Sequence, residues 1–194
     1  MKRTATQRKK RALLLVDVIN RFDFPGAAPL VKAARRAAPR IQALAERARR
    51  SAAPVIYVND HFGEWRADFD QIVTAATRED SPGRAVAAFL RPERSDYFVL
   101  KPMHSGFYAT ALAPLLEHLG VGTVVIAGFA TNYCVEFTAN DAYMRGYHVV
   151  VPRDATASNT LALTRASLAH VESTLQGETP SSDAVRFPSQ RSAR

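Results

Sequence analysis

The sequence predicts an α/β fold, a three-layer α/β/α domain with a central, mostly parallel six-stranded sheet wound in the Rossmann-like manner. Apolar β-type runs alternate along the chain with helical stripes, the signature of a doubly wound domain. Those runs are apolar at successive positions, as expected of strands covered on both faces in a parallel sheet. At 194 residues and 47% hydrophobic, the chain is long enough for one sizeable core, and no linker or internal repeat divides it.

The elements follow in order. Ala12 to Val18 reads as the first strand. A long helix spans Leu30 to Arg50, with Leu30, Ala34, Ala37, Ile41, Leu44 and Ala48 on one stripe and Pro39 as a kink or restart. Val55 to Asn59 is the second strand, and the stretch from His61 to Arg94 is too long for a plain connection and predicts short helices over one sheet end. Tyr97 to Leu100, Thr123 to Ala127 and His148 to Val151 are further strands, with a weaker sixth at Ala184 to Phe187. Helices are expected at Thr110 to Leu119, Cys134 to Arg145 and Thr160 to Gln176, with Thr131 or Asn132 capping the one that bears Cys134. The domain boundaries expected are a basic tail over 1–10, the single domain over 11–187 and a second tail over 188–194.

The formal charge of +8 suggests nucleic acid until it is placed. Lys2, Arg3, Arg8, Lys9, Lys10 and Arg11 carry six of the eight, with no acid among them, so the charge belongs mainly to the tail. The remainder shows no recognition motif or aromatic-basic platform, and nucleic acid is not the expected partner. The basic start is followed by only a short apolar run before Asp17, which makes neither a signal peptide nor a membrane span. A single cysteine, Cys134, allows no internal disulfide. The expectation is a cytoplasmic protein off the membrane.

Cys134 lies where an apolar strand run breaks into a helical pattern. A thiol at a helix N-terminus gains thiolate character from the unpaired N–H groups there, so the expectation is a depressed pKa. Asp17 closes the first strand and Lys101 follows the third. In an open parallel sheet the carboxyl ends of the strands share one edge, where ligand sites form, so acid, amine and thiol converge there. Each has a plainer alternative: a turn cap for Asp17, a solvent-facing end for Lys101, packing for Cys134.

The segments LLLVDVINRF around Asp17, FVLKPMHSGF around Lys101, and GFATNYCV followed by TANDAYMRGYHVVVPRDATAS resemble the isochorismatase-like cysteine hydrolases, which include nicotinamidases and N-carbamoylsarcosine amidase. The resemblance covers roughly Arg11 to Gln176. It implies a six-stranded parallel sheet between helical layers, an Asp17, Lys101 and Cys134 triad, a cis peptide between Phe129 and Ala130, and oxyanion donors at the Ala130 and Cys134 N–H groups. It also implies a homo-oligomer, dimer or tetramer.

The reaction expected is hydrolysis of a C–N bond in a small amide, ureido or carbamoyl compound through a thioester, with no cofactor. Nicotinamidases carry a metal-binding Asp-x-His after the second strand. Here the stretch is Asp60, His61, Phe62, so no metal is expected and His61 is placed at the surface or pocket rim. Ile19 stands where the family often has glutamine. Phe22, Trp65, His104 and Phe107 are the substrate-binding candidates, while His118, His148 and His170 read as ordinary structural or surface residues. Asp154 and Ser158 reach the site or cap turns. Three alternatives stay open: a vinyl-ether hydrolase of isochorismatase type, a non-catalytic binding protein on this fold, and a thiol redox sensor, the last weakened by the lack of a resolving cysteine.

Overall fold

The computed structural model describes residues 10–188. The basic arm, apart from Lys10, and the tail from 189 onward lie outside the described residues. Six strands, β1 (Lys10–Val16), β2 (Val55–Asp60), β3 (Tyr97–Lys101), β4 (Val121–Phe129), β5 (His148–Val150) and β6 (Thr156–Ala157), form one parallel sheet. Its order is β3-β2-β1-β4-β5, with the two-residue β6 continuing beside the end of β4. Six helices connect and cover it: α1 (Ala28–Arg50), α2 (Phe69–Thr77), α3 (Arg84–Phe89), α4 (Leu112–His118), α5 (Glu136–Met144) and α6 (Leu161–Ser173). The expected sheet and layering are therefore present.

Because successive strand residues face opposite sides, the central strands feed two cores. Leu13, Leu15, Tyr57, Val125 and Ala127 pack on one face with Ala34, Ile41 and Leu44 of α1. Ala12, Leu14, Val16, Ile56, Val58 and Ile126 pack on the other with Leu112 and Leu116 of α4 and Ala139 and Ala142 of α5. That double burial explains the unbroken apolar runs. Helix α1 runs through Pro39 as one continuous helix, so of the expected kink or restart the restart does not occur. The proline lies between Ala38, which is buried, and Arg40, which is exposed, and the apolar stripe from Leu30 to Ala48 holds both halves against the sheet.

The sixth strand is not at Ala184 to Phe187. Ser182–Ala184 is a short 3₁₀ turn, and Val185 and Phe187 instead drop into the α1-side core. Two groups fix this path: Asp154 accepts hydrogen bonds from Ser182 N–H (2.6 Å) and Oγ (2.9 Å), and prolines stand at 180 and 188. Within 61–94, α2 begins with a reciprocal cap between Asp68 and Gln71, and Phe69 stacks on Phe98 at 5.0 Å. No described helix is long and apolar enough to cross a membrane.

Candidate active site

The strand ends bring Asp17, Lys101 and Cys134 together. Asp17 follows β1 in a left-handed conformation, φ 49°, which aspartate tolerates better than most residues. Its N–H donates to Val58 O at 3.0 Å, and its Oδ1 accepts the Asp60 N–H at 2.6 Å. Lys101 ends β3 and is fully buried, its stem enclosed and its ammonium aimed at a polar cluster. Nζ lies 2.9 Å from Asp17 Oδ2, 3.4 Å from Asp60 Oδ2, 3.1 Å from Met103 O and 3.5 Å from Cys134 Sγ. Burial disfavours that charge, but the neighbouring carboxylates, Asp17 first and then Asp60, outweigh it, so the lysine pKa is raised and the ammonium persists.

Cys134 sits in a wide π-type turn, Thr131–Val135, that leads into α5. The peptide bond Phe129–Ala130 at its entrance is cis. Neither Thr131 nor Asn132 caps this helix, as the sequence had suggested; Ala130 occupies the capping position and makes no side-chain bond. Thr131 is turned inward to Thr156 Oγ1 at 2.9 Å, and Asn132 N–H donates to Ser158 Oγ at 3.3 Å. The Ala130 carbonyl accepts from both Tyr133 N–H and Val135 N–H, which closes the turn around the thiol.

The thiol pKa is raised, not depressed. Burial is the main cause, the Asp17 charge and hydrogen bonding add to it, and Lys101 offsets only part. Helix-end electrostatics are therefore outweighed, first by burial of the sulfur and then by the Asp17 carboxylate. At neutral pH the cluster is a carboxylate, an ammonium and a neutral thiol, an arrangement able to pass the thiol proton to Asp17 as sulfur bonds to an electrophile.

The other candidates divide. His104 Nδ1 lies 3.9 Å from Sγ, and its ring packs against Tyr133 and Phe137. Phe22 is buried, its ring 6.1 Å from that of Phe129 at the turn. Trp65 is 77% exposed and lies on His61, ring centroids 4.3 Å apart. Phe107 is not brought to the thiol: it packs in the α4/α5-side core against Tyr147, with the Arg145 guanidinium over its ring. Asp154 serves the C-terminal segment, whereas Ser158 supports the nucleophile turn.

His61 is buried, not at the surface, and donates its N–H to Lys101 O at 3.3 Å. A metal does not fit here. Asp60 is already committed to Lys101 and to Phe62 N–H, and no described group of three His, Cys, Asp or Glu side chains converges as a metal site.

Three supporting residues escaped the sequence reading. Asp60 holds both Asp17 and Lys101. Asn59, fully buried, pairs its amide with the N–H and C=O of Ile19 at 3.2 and 2.8 Å, pinning the loop after Asp17. Thr138 donates to Cys134 O at 2.6 Å and accepts from Gly106 N–H at 3.0 Å, joining the nucleophile turn to the loop after Lys101. A polar residue in an otherwise apolar strand was the available signal for Asn59.

Residues 11–182 match the family model described as the isochorismatase domain. The chain is 46% identical over 150 residues to the uncharacterized isochorismatase family protein YaaI of Bacillus subtilis, covering 77% of this chain and 82% of that protein. It is 35% identical over 161 residues to maleamate amidohydrolase of Pseudomonas putida, covering 75% and 71% of the two chains. Among solved structures, N-carbamoylsarcosine amidase from Thermoplasma acidophilum superposes with a TM-score of 0.71 at 29% identity, covering 91% of this chain and 98% of that one. The family model spans the segment that forms the sheet and carries Asp17, Lys101 and Cys134, and with the identity to these relatives it makes the chain a hydrolase of the isochorismatase family.

Proposed function

We propose that this hydrolase uses Cys134 to cleave a C–N bond in a small amide, ureido or carbamoyl compound. The observation that carries the reading is the Lys101 ammonium, fully buried and in reach of both Asp17 (2.9 Å) and the Cys134 sulfur (3.5 Å). Asp17 takes the thiol proton as sulfur attacks the carbonyl carbon, and Lys101 balances the charge on the sulfur and the carboxylate. The Ala130 and Cys134 N–H groups are the proposed donors to the oxygen that becomes negative. As the tetrahedral adduct collapses, the C–N bond breaks and Asp17 returns the proton to the leaving nitrogen. Water then adds to the thioester, Asp17 takes one of its protons, and the thiolate leaves and is reprotonated. The products are an amine or ammonia and a carboxylic or carbamic acid.

The acyl-transfer reading is supported by the amide substrates named for the maleamate and N-carbamoylsarcosine enzymes. A panel of amides, ureides and carbamoyl compounds, assayed for ammonia or amine release, tests it. Wild type should turn over at least one of them, Cys134→Ala none, and quenched mixtures should show an acyl mass on the peptide containing Cys134. Turnover retained in Cys134→Ala would overturn the cysteine mechanism.

A further inference from the structure

His61 has a hydrogen-bond donor with nothing to bond. Its Nδ1 accepts the Gly63 N–H at 3.1 Å, so the ring proton resides on Nε2. Nε2 is buried and has no partner among the described residues, although His61 as a whole is only 8% exposed. A buried donor left unpaired is unfavourable, and such groups call for a partner that the structure does not hold. The tautomer also sets direction: the two ring nitrogens face different ways, so with Nδ1 tied to its own turn, Nε2–H points away from that turn.

The position of His61 relates this orphan to the candidate site. Its backbone N–H bonds Lys101 O, and the preceding residue, Asp60, bonds both Asp17 and Lys101. His61 therefore follows directly on a residue of the cluster, and its backbone is held to the end of β3 at the strand-end edge. Trp65, 77% exposed and outside both cores, packs against the His61 ring in a tilted arrangement, 50° between planes. A metal is not the missing partner, because a nitrogen that carries its proton cannot ligate and no other ligand converges here.

We propose that His61 Nε2–H anchors the substrate by donating to an acceptor oxygen distinct from the scissile carbonyl, with Trp65 closing over the bound molecule. This deepens the hydrolase reading above and rests on it. It selects, among small amides, those that bear a second acceptor oxygen, whether a carboxylate or a neutral carbonyl, over those that end in alkyl.

Trp65 is the only tryptophan in the chain, so its fluorescence reports on this contact alone. Three four-carbon amides serve as probes: succinamate with a terminal carboxylate, succinamide with a terminal neutral carbonyl, and butanamide with neither. They are titrated into full-length Cys134→Ser, in which no probe is consumed. Succinamate or succinamide should shift the Trp65 emission at a Kd about tenfold below that of butanamide, and which of the two binds tighter identifies the oxygen. His61→Phe, which keeps a ring under Trp65, should erase that preference, and His61→Gln, which restores a donor near the Nε2 position, should recover part of it. Equal Kd values for all three probes, no binding by any of them, or a preference unchanged in His61→Phe would overturn the proposal; the last outcome would mean that the donor is held by ordered water. Wild type that binds selectively yet releases no ammonia or amine from any panel compound would instead overturn the hydrolytic reading and leave the anchoring role standing.

Discussion

Asp17 meets a lysine ammonium and a backbone N–H, and its charge also raises the pKa of the Cys134 thiol. The carboxylate holds the proton on sulfur, and the ammonium opposes it. This makes a testable separation between thiol reactivity and catalysis. Asparagine tolerates the left-handed backbone at 17, so Asp17→Asn should fold. Without the negative charge, Lys101 acts on the sulfur with less opposition, and the thiol pKa falls. Iodoacetamide labelling of wild type should show no midpoint at or below about 8.5, the ordinary thiol value, while Asp17→Asn labels faster at pH 7.5. Turnover should nevertheless fall by about 100-fold or more, since the proton acceptor is gone. Slower labelling in Asp17→Asn would show that the aspartate does not restrain the thiol. The residue types of this cluster were legible from the sequence because parallel strand ends share an edge. The direction of the thiol shift was not, because it depends on how deeply the fold buries the sulfur and then on how Asp17 and Lys101 are set against it.

At the scale of elements, β4 delivers the nucleophile turn, and its approach to β1 is set at one residue. Gly128 has φ 126°, and a Cβ there would lie 2.0 Å from Val16 O, a backbone atom that cannot yield. Gly128→Ala combines a disfavoured conformation with a clash between paired strands and should cost about 2–5 kcal/mol. Chemical denaturation would measure it; a loss below about 1 kcal/mol would show that the strands separate easily here. The long strands were legible because both their faces are apolar. Thr156–Ala157 was not, since two residues, one polar, carry no periodicity, and the strand forms where Gly128 and Phe129 extend β4 past the end of its pairing with β5. Val185 and Phe187 imitated a strand for the opposite reason. They are apolar at alternate positions because they plug the α1-side core, not because they pair.

Across the whole molecule, apolar side chains remain outside. Trp65, Tyr133, Phe137 and Met144 are at least half exposed, and three of them lie on the nucleophile turn and α5. Self-association through such side chains should appear in light scattering coupled to size exclusion as a dimer or tetramer, and a monomer at micromolar concentration would refute it. Global stability should also record the protonation state of the site. The thiol pKa is raised in the folded chain above its unfolded value of about 8.5, so the native state keeps a proton that the unfolded chain gives up. Its contribution is fully present below about pH 8.5 and falls as pH rises, by up to about 1.4 kcal/mol per pH unit. Lys101 and Tyr57, also raised, follow the same sign but begin only near their own unfolded values of about 10. Between about pH 8.5 and 10 the decline therefore belongs to Cys134. Urea unfolding across that window should show falling stability in wild type and a nearly flat profile in Cys134→Ser. Equal slopes in the two proteins would mean that the thiol ionises in the native state as readily as in the unfolded chain, and would remove the neutral-thiol resting state from the mechanism.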